Sequence, residues 1–156
     1  MTELSHEESI LVQSTPAALY DLVSDVTRTG EWSPVCVHCA WEDPSEIGQA
    51  GAWFTGRNET PGRTWETRSQ VVVADPGQEF SWIVSGNLVR WGFKMETDGD
   101  AARLTETWNF LPAGLEFFAE KYGEEAQARI DERVGQAHSG IPETLAAIKR
   151  IAEGDV

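Results

Sequence analysis

Arg103-Leu104-Thr105-Glu106-Thr107-Trp108-Asn109-Phe110-Leu111-Pro112-Ala113-Gly114 is the stretch in which the chain changes its period. Up to Leu111 it alternates. A strand sends successive side chains to opposite faces, so Leu104, Glu106, Trp108 and Phe110 share one side and Arg103, Thr105, Thr107 and Asn109 the other. Leu111-Pro112-Ala113-Gly114 ends that pattern. Beyond it Phe118, Tyr122, Ala126, Ile130, Val134 and Ala137 recur at helical spacing, one apolar stripe along a long helix. The spacing predicts a helix from Leu115 to about His138, a break at Ser139-Gly140 and a restart at Pro142. Leu145, Ile148 and Ile151 carry the apolar face to the end. A sheet with one apolar face followed by a helix with one apolar stripe predicts that the two cover each other.

Upstream the period stays at two. Strands are expected over Val37–Glu42, Ala52–Glu59, Arg63–Ala74, Glu79–Ser85 and Val89–Glu96, with Arg103–Leu111 as the last of this set. The separators are turn chemistry: Asp43-Pro44, Pro61-Gly62, Asp75-Pro76-Gly77, Gly86-Asn87 and Asp98-Gly99-Asp100. Links this short imply an antiparallel meander. Ser9–Gln13 adds an earlier strand. Ser14-Thr15-Pro16 then offers a hydroxyl cap and a proline at a helix start, and Ala17–Ser24 places Leu19, Leu22 and Val23 on one stripe. A second short helix is expected over Val26–Trp32, stopped by Ser33-Pro34. The fold expected is α+β and spans residues 1–156 as one domain. A curved antiparallel sheet of about seven strands wraps around a long C-terminal helix, with two short helices after the first strand.

The chain has 156 residues, 40% of them hydrophobic, and 26 acidic against 12 basic residues for a formal net charge of −14. That length buries roughly two-thirds of the unfolded surface, so neither disulfide nor metal is required to fold. Phosphate backbones and anionic membranes repel such a surface, which argues against nucleic acid as a partner. The acidic start, Met1-Thr2-Glu3-Leu4-Ser5-His6-Glu7-Glu8, is unlike a secretory leader. No run approaches the ~20 apolar residues of a membrane span, so stable membrane insertion is not expected. Two cysteines, Cys36 and Cys39, are too few for a disulfide framework, and a cytoplasmic location with reduced thiols is the simplest expectation. Monomer and homodimer both remain open.

The local motifs resemble those of the SRPBCC, or START-like, superfamily. Ser14-Thr15-Pro16 through Trp32-Ser33-Pro34 is similar to the opening of its polyketide cyclase/dehydrase and lipid-transport branch. Trp53-Phe54-Thr55-Gly56-Arg57-Asn58, Trp65-Glu66-Thr67, Pro76-Gly77-Gln78-Glu79-Phe80-Ser81-Trp82, Leu104-Thr105-Glu106-Thr107 and Thr144-Leu145-Ala146-Ala147-Ile148-Lys149 also match. The resemblance implies a helix-grip fold with a deep hydrophobic cavity. It does not choose among carriers, sensors and enzymes.

Seven tryptophans stand in the chain. Each ring buries roughly 200 Å² and carries one N–H. Trp53, Trp65, Trp82, Trp91 and Trp108 each fall in a different expected strand and so could line one concave surface, either as core or as pocket wall. Phe93 shares the inner row of Trp91. Tyr122 and Ile130 belong to the helical stripe, and Trp32 precedes the loop expected at the mouth. Thr67 and Ser69, in a row with Trp65, Val71 and Val73, suit hydrogen bonds to a guest or cross-strand pairs. Asn58 suits a guest's carbonyl or a hairpin cap.

Glu106 is the candidate catalytic residue, since its parity sets a carboxylate among rings. It could be a polar anchor or general acid; alternatively an arginine satisfies it, or it opens to water. Arg129 and Arg133 lie one turn apart on the helix, either turned inward or solvated with Glu125 as partner.

Cys36-Val37-His38-Cys39 supplies only part of a zinc site, and no thioredoxin-like unit surrounds it as a redox motif. No metal is expected. Phosphate-loop, nucleophile-elbow and metallohydrolase motifs are missing, and no cofactor is expected. Three functions remain: a binder of a small hydrophobic molecule, lipid-, polyketide- or aromatic-like; a cyclase or dehydratase in the same cavity, with Glu106 moving the proton helped by Arg57 or a hydroxyl; or a regulatory or stress-related protein with a filled core.

Overall fold

A computed structural model of the chain describes residues 4–85 and 88–154. The expected Gly86-Asn87 turn and the first three and last two residues lie outside that range. Strand β1 (Ser5–Val12) leads to helix α1 (Pro16–Val23) and a 3₁₀ segment, Val26–Glu31. Then come β2 (Cys36–Trp41), β3 (Trp53–Thr60), β4 (Arg63–Asp75), β5 (Glu79–Val84), β6 (Val89–Asp98) and β7 (Ala101–Phe110). Helices α2 (Pro112–Tyr122) and α3 (Ala126–Ala152) close the chain. Thr15 caps α1 as its sequence predicts, its Oγ1 accepting from the Ala18 amide at 3.1 Å.

The seven strands form one antiparallel sheet in the order β1-β7-β6-β5-β4-β3-β2. Consecutive strands from β2 to β7 pair as a meander, and β1 closes on β7. The alternation in β7 is as expected: Ala102, Leu104, Glu106, Trp108 and Phe110 are all buried. The core lies on this concave face, beneath α1 and α3, and includes Leu19, Phe80, Leu104, Ile141 and Ile148. The end of α3 is tied to β1. Lys149 Nζ donates to the Leu11 carbonyl at 2.9 Å, and Glu153 Oε2 accepts from the Gln13 amide at 2.8 Å.

Two local expectations are corrected. The helix breaks at Gly123, not at Ser139-Gly140, which lie inside α3 together with Pro142. Gly123 takes φ 54°, a left-handed conformation that glycine adopts freely, and it ends α2 there. Within α3, burial of Ala137, Ile141, Leu145 and Ile148 outweighs an interior glycine (~1 kcal/mol) and proline (~3 kcal/mol). In β4 the register shifts between Val71 and Val73, so Ala74 instead of Val73 packs onto the core, opposite Phe80. Among the described residues no helix is long and apolar enough to cross a membrane.

Candidate functional site

The concave face and α3 do not close on each other. They leave a cavity of about 490 Å³. Its floor is a cross-strand row: Trp82 on β5 stands opposite Trp91 on β6, which stands opposite Trp108 on β7. Strands lie ~4.8 Å apart, closer than an indole is wide, so neighbouring rings tilt instead of filling the hollow. Trp91 and Trp108 have centroids 6.5 Å apart at 57°. Phe93 tilts against Trp82 at 5.9 Å. Trp65 and Phe54 extend the wall across β4 and β3, and Trp32 with Ser33 and Pro34 borders it from the loop before β2.

Glu106 reaches this space from β7, with Leu104 and Trp108 as its neighbours along the strand and Phe93 and Glu8 opposite it. It is only 5% exposed, and Oε1 has no hydrogen-bond partner among the described residues. Neither the neighbouring arginine nor the open mouth considered from sequence is found. Burial first, and the Glu8 carboxyl second, push its pKa well above the ordinary carboxylate range. Glu106 therefore stays protonated further into neutral pH than an exposed glutamate, and a neutral carboxyl can donate a hydrogen bond.

Asn58, Thr67 and Ser69 line the β3–β4 wall. Asn58 Nδ2 donates to Thr67 Oγ1 at 3.3 Å and to the Trp65 carbonyl at 3.4 Å, so it links the two strands as well as bordering the cavity. Tyr122, at the end of α2, also lines the space.

Trp53 and Ile130 do not border the cavity. Trp53 stands on the other face of β3, under the Arg68 guanidinium at 3.8 Å. Phe54, Gly56 and Asn58 take the inner positions of that strand. Trp53 and Asn58 are five residues apart, so a regular strand cannot turn both inward, and that signal was present in the sequence. Ile130 is buried in the hydrophobic core. Arg57 is exposed beside Glu59 and is no helper for Glu106.

Arg133 is the residue that spacing alone did not place. It turns inward, its guanidinium 5.3 Å from the Trp65 ring and 5.9 Å from Phe118. Burial and nearby Arg63 lower its pKa. Arg129 faces outward and pairs with Glu132, not Glu125, at 3.7 Å. Glu132 also takes Arg63, and its charge acts on Arg133 as well. The cavity thus has an arginine at the α3 side, a buried carboxyl of raised pKa on β7, and indoles between. Cys36 and Cys39 also border it, and among the described residues no group of three metal-ligating side chains assembles.

The profile of the polyketide cyclase / dehydrase and lipid transport family matches residues 3–135. No curated protein matches the chain. A solution structure of a polyketide-cyclase-like protein from Corynebacterium glutamicum is 50% identical, with TM-score 0.70, over 95% of this chain and 90% of that one. The di-domain ARO/CYC StfQ of the steffimycin biosynthetic pathway shares 17% identity and TM-score 0.69, over 97% of this chain and 51% of that one. Ara h 8.0201 shares 16% identity and TM-score 0.54, over 83% of this chain and 96% of that one. The last two are likenesses of fold alone.

Proposed function

The chain belongs to the polyketide cyclase / dehydrase and lipid transport family, and from that premise we propose that it holds a small, mostly apolar molecule between the sheet and α3. The observation that carries the reading is a cavity of about 490 Å³ walled by tryptophans, with an unpartnered, buried carboxyl oxygen inside it. An aromatic guest burying about 300 Å² of apolar surface gains roughly 7 kcal/mol before ordering costs are subtracted. The polar groups suit a guest with two unlike ends. Glu106, as a neutral acid, donates to a carbonyl or hydroxyl. Arg133, framed by Trp65 and Phe118, favours a carboxylate or an acidic phenol. A lipid-, polyketide- or aromatic-like acid combines these features.

The test is native purification, extraction with organic solvent, and mass spectrometry of what is released. A stoichiometric amphiphile with an acidic end supports the reading. An empty protein whose tryptophan emission ignores a panel of aromatic and alkyl acids refutes it.

A second reading, cyclase or dehydratase chemistry, is favoured by the same carboxyl. A cavity that folds a flexible substrate brings reacting carbons together, and Glu106 would supply the proton to a departing hydroxyl or a forming enol. Glu106→Gln separates the two: turnover lost with binding kept supports chemistry, and a variant with neither effect removes Glu106 from both.

A further inference from the structure

Cys36 and Cys39 stand three positions apart on β2, a spacing that in a regular strand turns two side chains to opposite faces. Here the β2–β3 register shifts: Cys36 pairs with Asn58, His38 with Arg57, and Cys39 with Gly56. That bulge takes up one residue and brings both thiols to the concave side, against the cavity. Their sulfurs lie 3.2 Å apart. Gly56 on β3 faces the pair: a Cβ there would meet each sulfur at 3.5 Å, an ordinary contact, and Thr67 Oγ1 at a tighter 3.1 Å. Cys39 is buried and Cys36 half-buried. The two thiols are also unlike. Hydrogen bonding between them pushes Cys36 up and draws Cys39 down, so Cys39 is the readier thiolate and Cys36 the holder of the proton.

We propose that Cys36 and Cys39 form an oxidisable dithiol in the cavity wall, which a hydroperoxide closes to an intramolecular disulfide. The Cys39 thiolate attacks the outer oxygen of the peroxide. The O–O bond breaks, an alcohol (or water) leaves with a proton, and Cys39 becomes a sulfenic acid. Cys36 sulfur then attacks Cys39 sulfur, its proton leaves with the hydroxyl as water, and the S–S bond forms. Two thiols are oxidised by two electrons and one peroxide is reduced. The sulfurs must approach by about 1.2 Å to reach a bonded ~2.05 Å. The Cys36 amide donates to Ser33 Oγ at 2.8 Å, which ties its backbone to the Trp32-Ser33-Pro34 loop that borders the cavity. The site does not depend on any guest being bound.

The full-length chain, reduced and then treated with hydrogen peroxide or cumene hydroperoxide, tests this. Both thiols should disappear together and the chain should become about 2 Da lighter. Both cysteines fall in one tryptic peptide, residues 29–57, which should carry that loss, and dithiothreitol should restore it. In Cys36→Ser, Cys39 should persist as a sulfenic acid that dimedone captures. Four outcomes overturn the proposal: gains of about 16 Da per added oxygen with no loss of hydrogen, disulfide-linked dimers, thiols that survive the peroxide, or a dimedone adduct on Cys36 of Cys39→Ser but none on Cys39 of Cys36→Ser. The peptide measurement on the unmutated chain decides the matter even if a variant folds poorly.

Discussion

Exchanging Glu106 for glutamine should flatten the decline of stability with rising pH. The side chain is 5% exposed, its Oε1 has no partner among the described residues, and burial with the Glu8 carboxyl pushes its pKa up. In the unfolded chain the same carboxyl loses its proton near the ordinary glutamate value, about 4.3. Above that value the folded protein binds about one proton more than the unfolded chain at this site. Stability then falls by about 1.4 kcal/mol per pH unit, until pH passes the raised native value. Glutamine has no proton to lose. Above about pH 5 the stability of the variant relative to the unmodified protein should therefore rise with pH, by up to about 1.4 kcal/mol for each unit, until pH passes the raised native value. The amide brings its own unpartnered donors, which shift the whole curve by about 1–3 kcal/mol without tilting it. Carboxylates held low by arginines, such as Glu42 beside Arg68, work in the opposite sense, gaining stability as pH rises, but they are common to both proteins. Urea unfolding at several pH values measures the difference. Two stability curves that run parallel between about pH 5 and about pH 7 would refute a buried, protonated Glu106.

Arg133→Met should lower affinity for an aromatic carboxylate by about tenfold to a hundredfold, while the matching alcohol binds as before; tryptophan quenching reads both. Trp108, only 2% exposed and packed between Trp91 and Phe110, should cost about 3–5 kcal/mol on truncation to alanine, read as a lower urea midpoint. Thr15→Ala removes the hydroxyl that caps α1 and should cost about 1 kcal/mol in the same assay, with guest binding unchanged.

Some of the site was legible before any coordinates. The parity of β7 put Glu106 among Leu104, Trp108 and Phe110, because alternation is a property of a strand's own residues. The same rule, applied to β3, separates Trp53 from Asn58. The helical stripe located the helical C-terminal part of the chain but set its break at Ser139-Gly140, and the break falls at Gly123 instead. Only the buried packing of Ile141 and Leu145 carries the helix through Ser139-Gly140. Arg133 sat at the edge of an apolar stripe, where spacing leaves its direction open by most of a helix width.

From its own residues the chain determined a seven-strand alternating pattern, a capped first helix, a long amphipathic end and the family they match. Those signals are local, written within one or two turns or a few alternating positions. The tertiary structure alone decided that about 490 Å³ stays open under α3, that Arg133 faces it, and that a bulge brings Cys36 to Cys39. Each of these depends on the register and rotation of segments far apart in sequence. They are set by which packing buries the most apolar surface, and no periodicity within a single segment records that result.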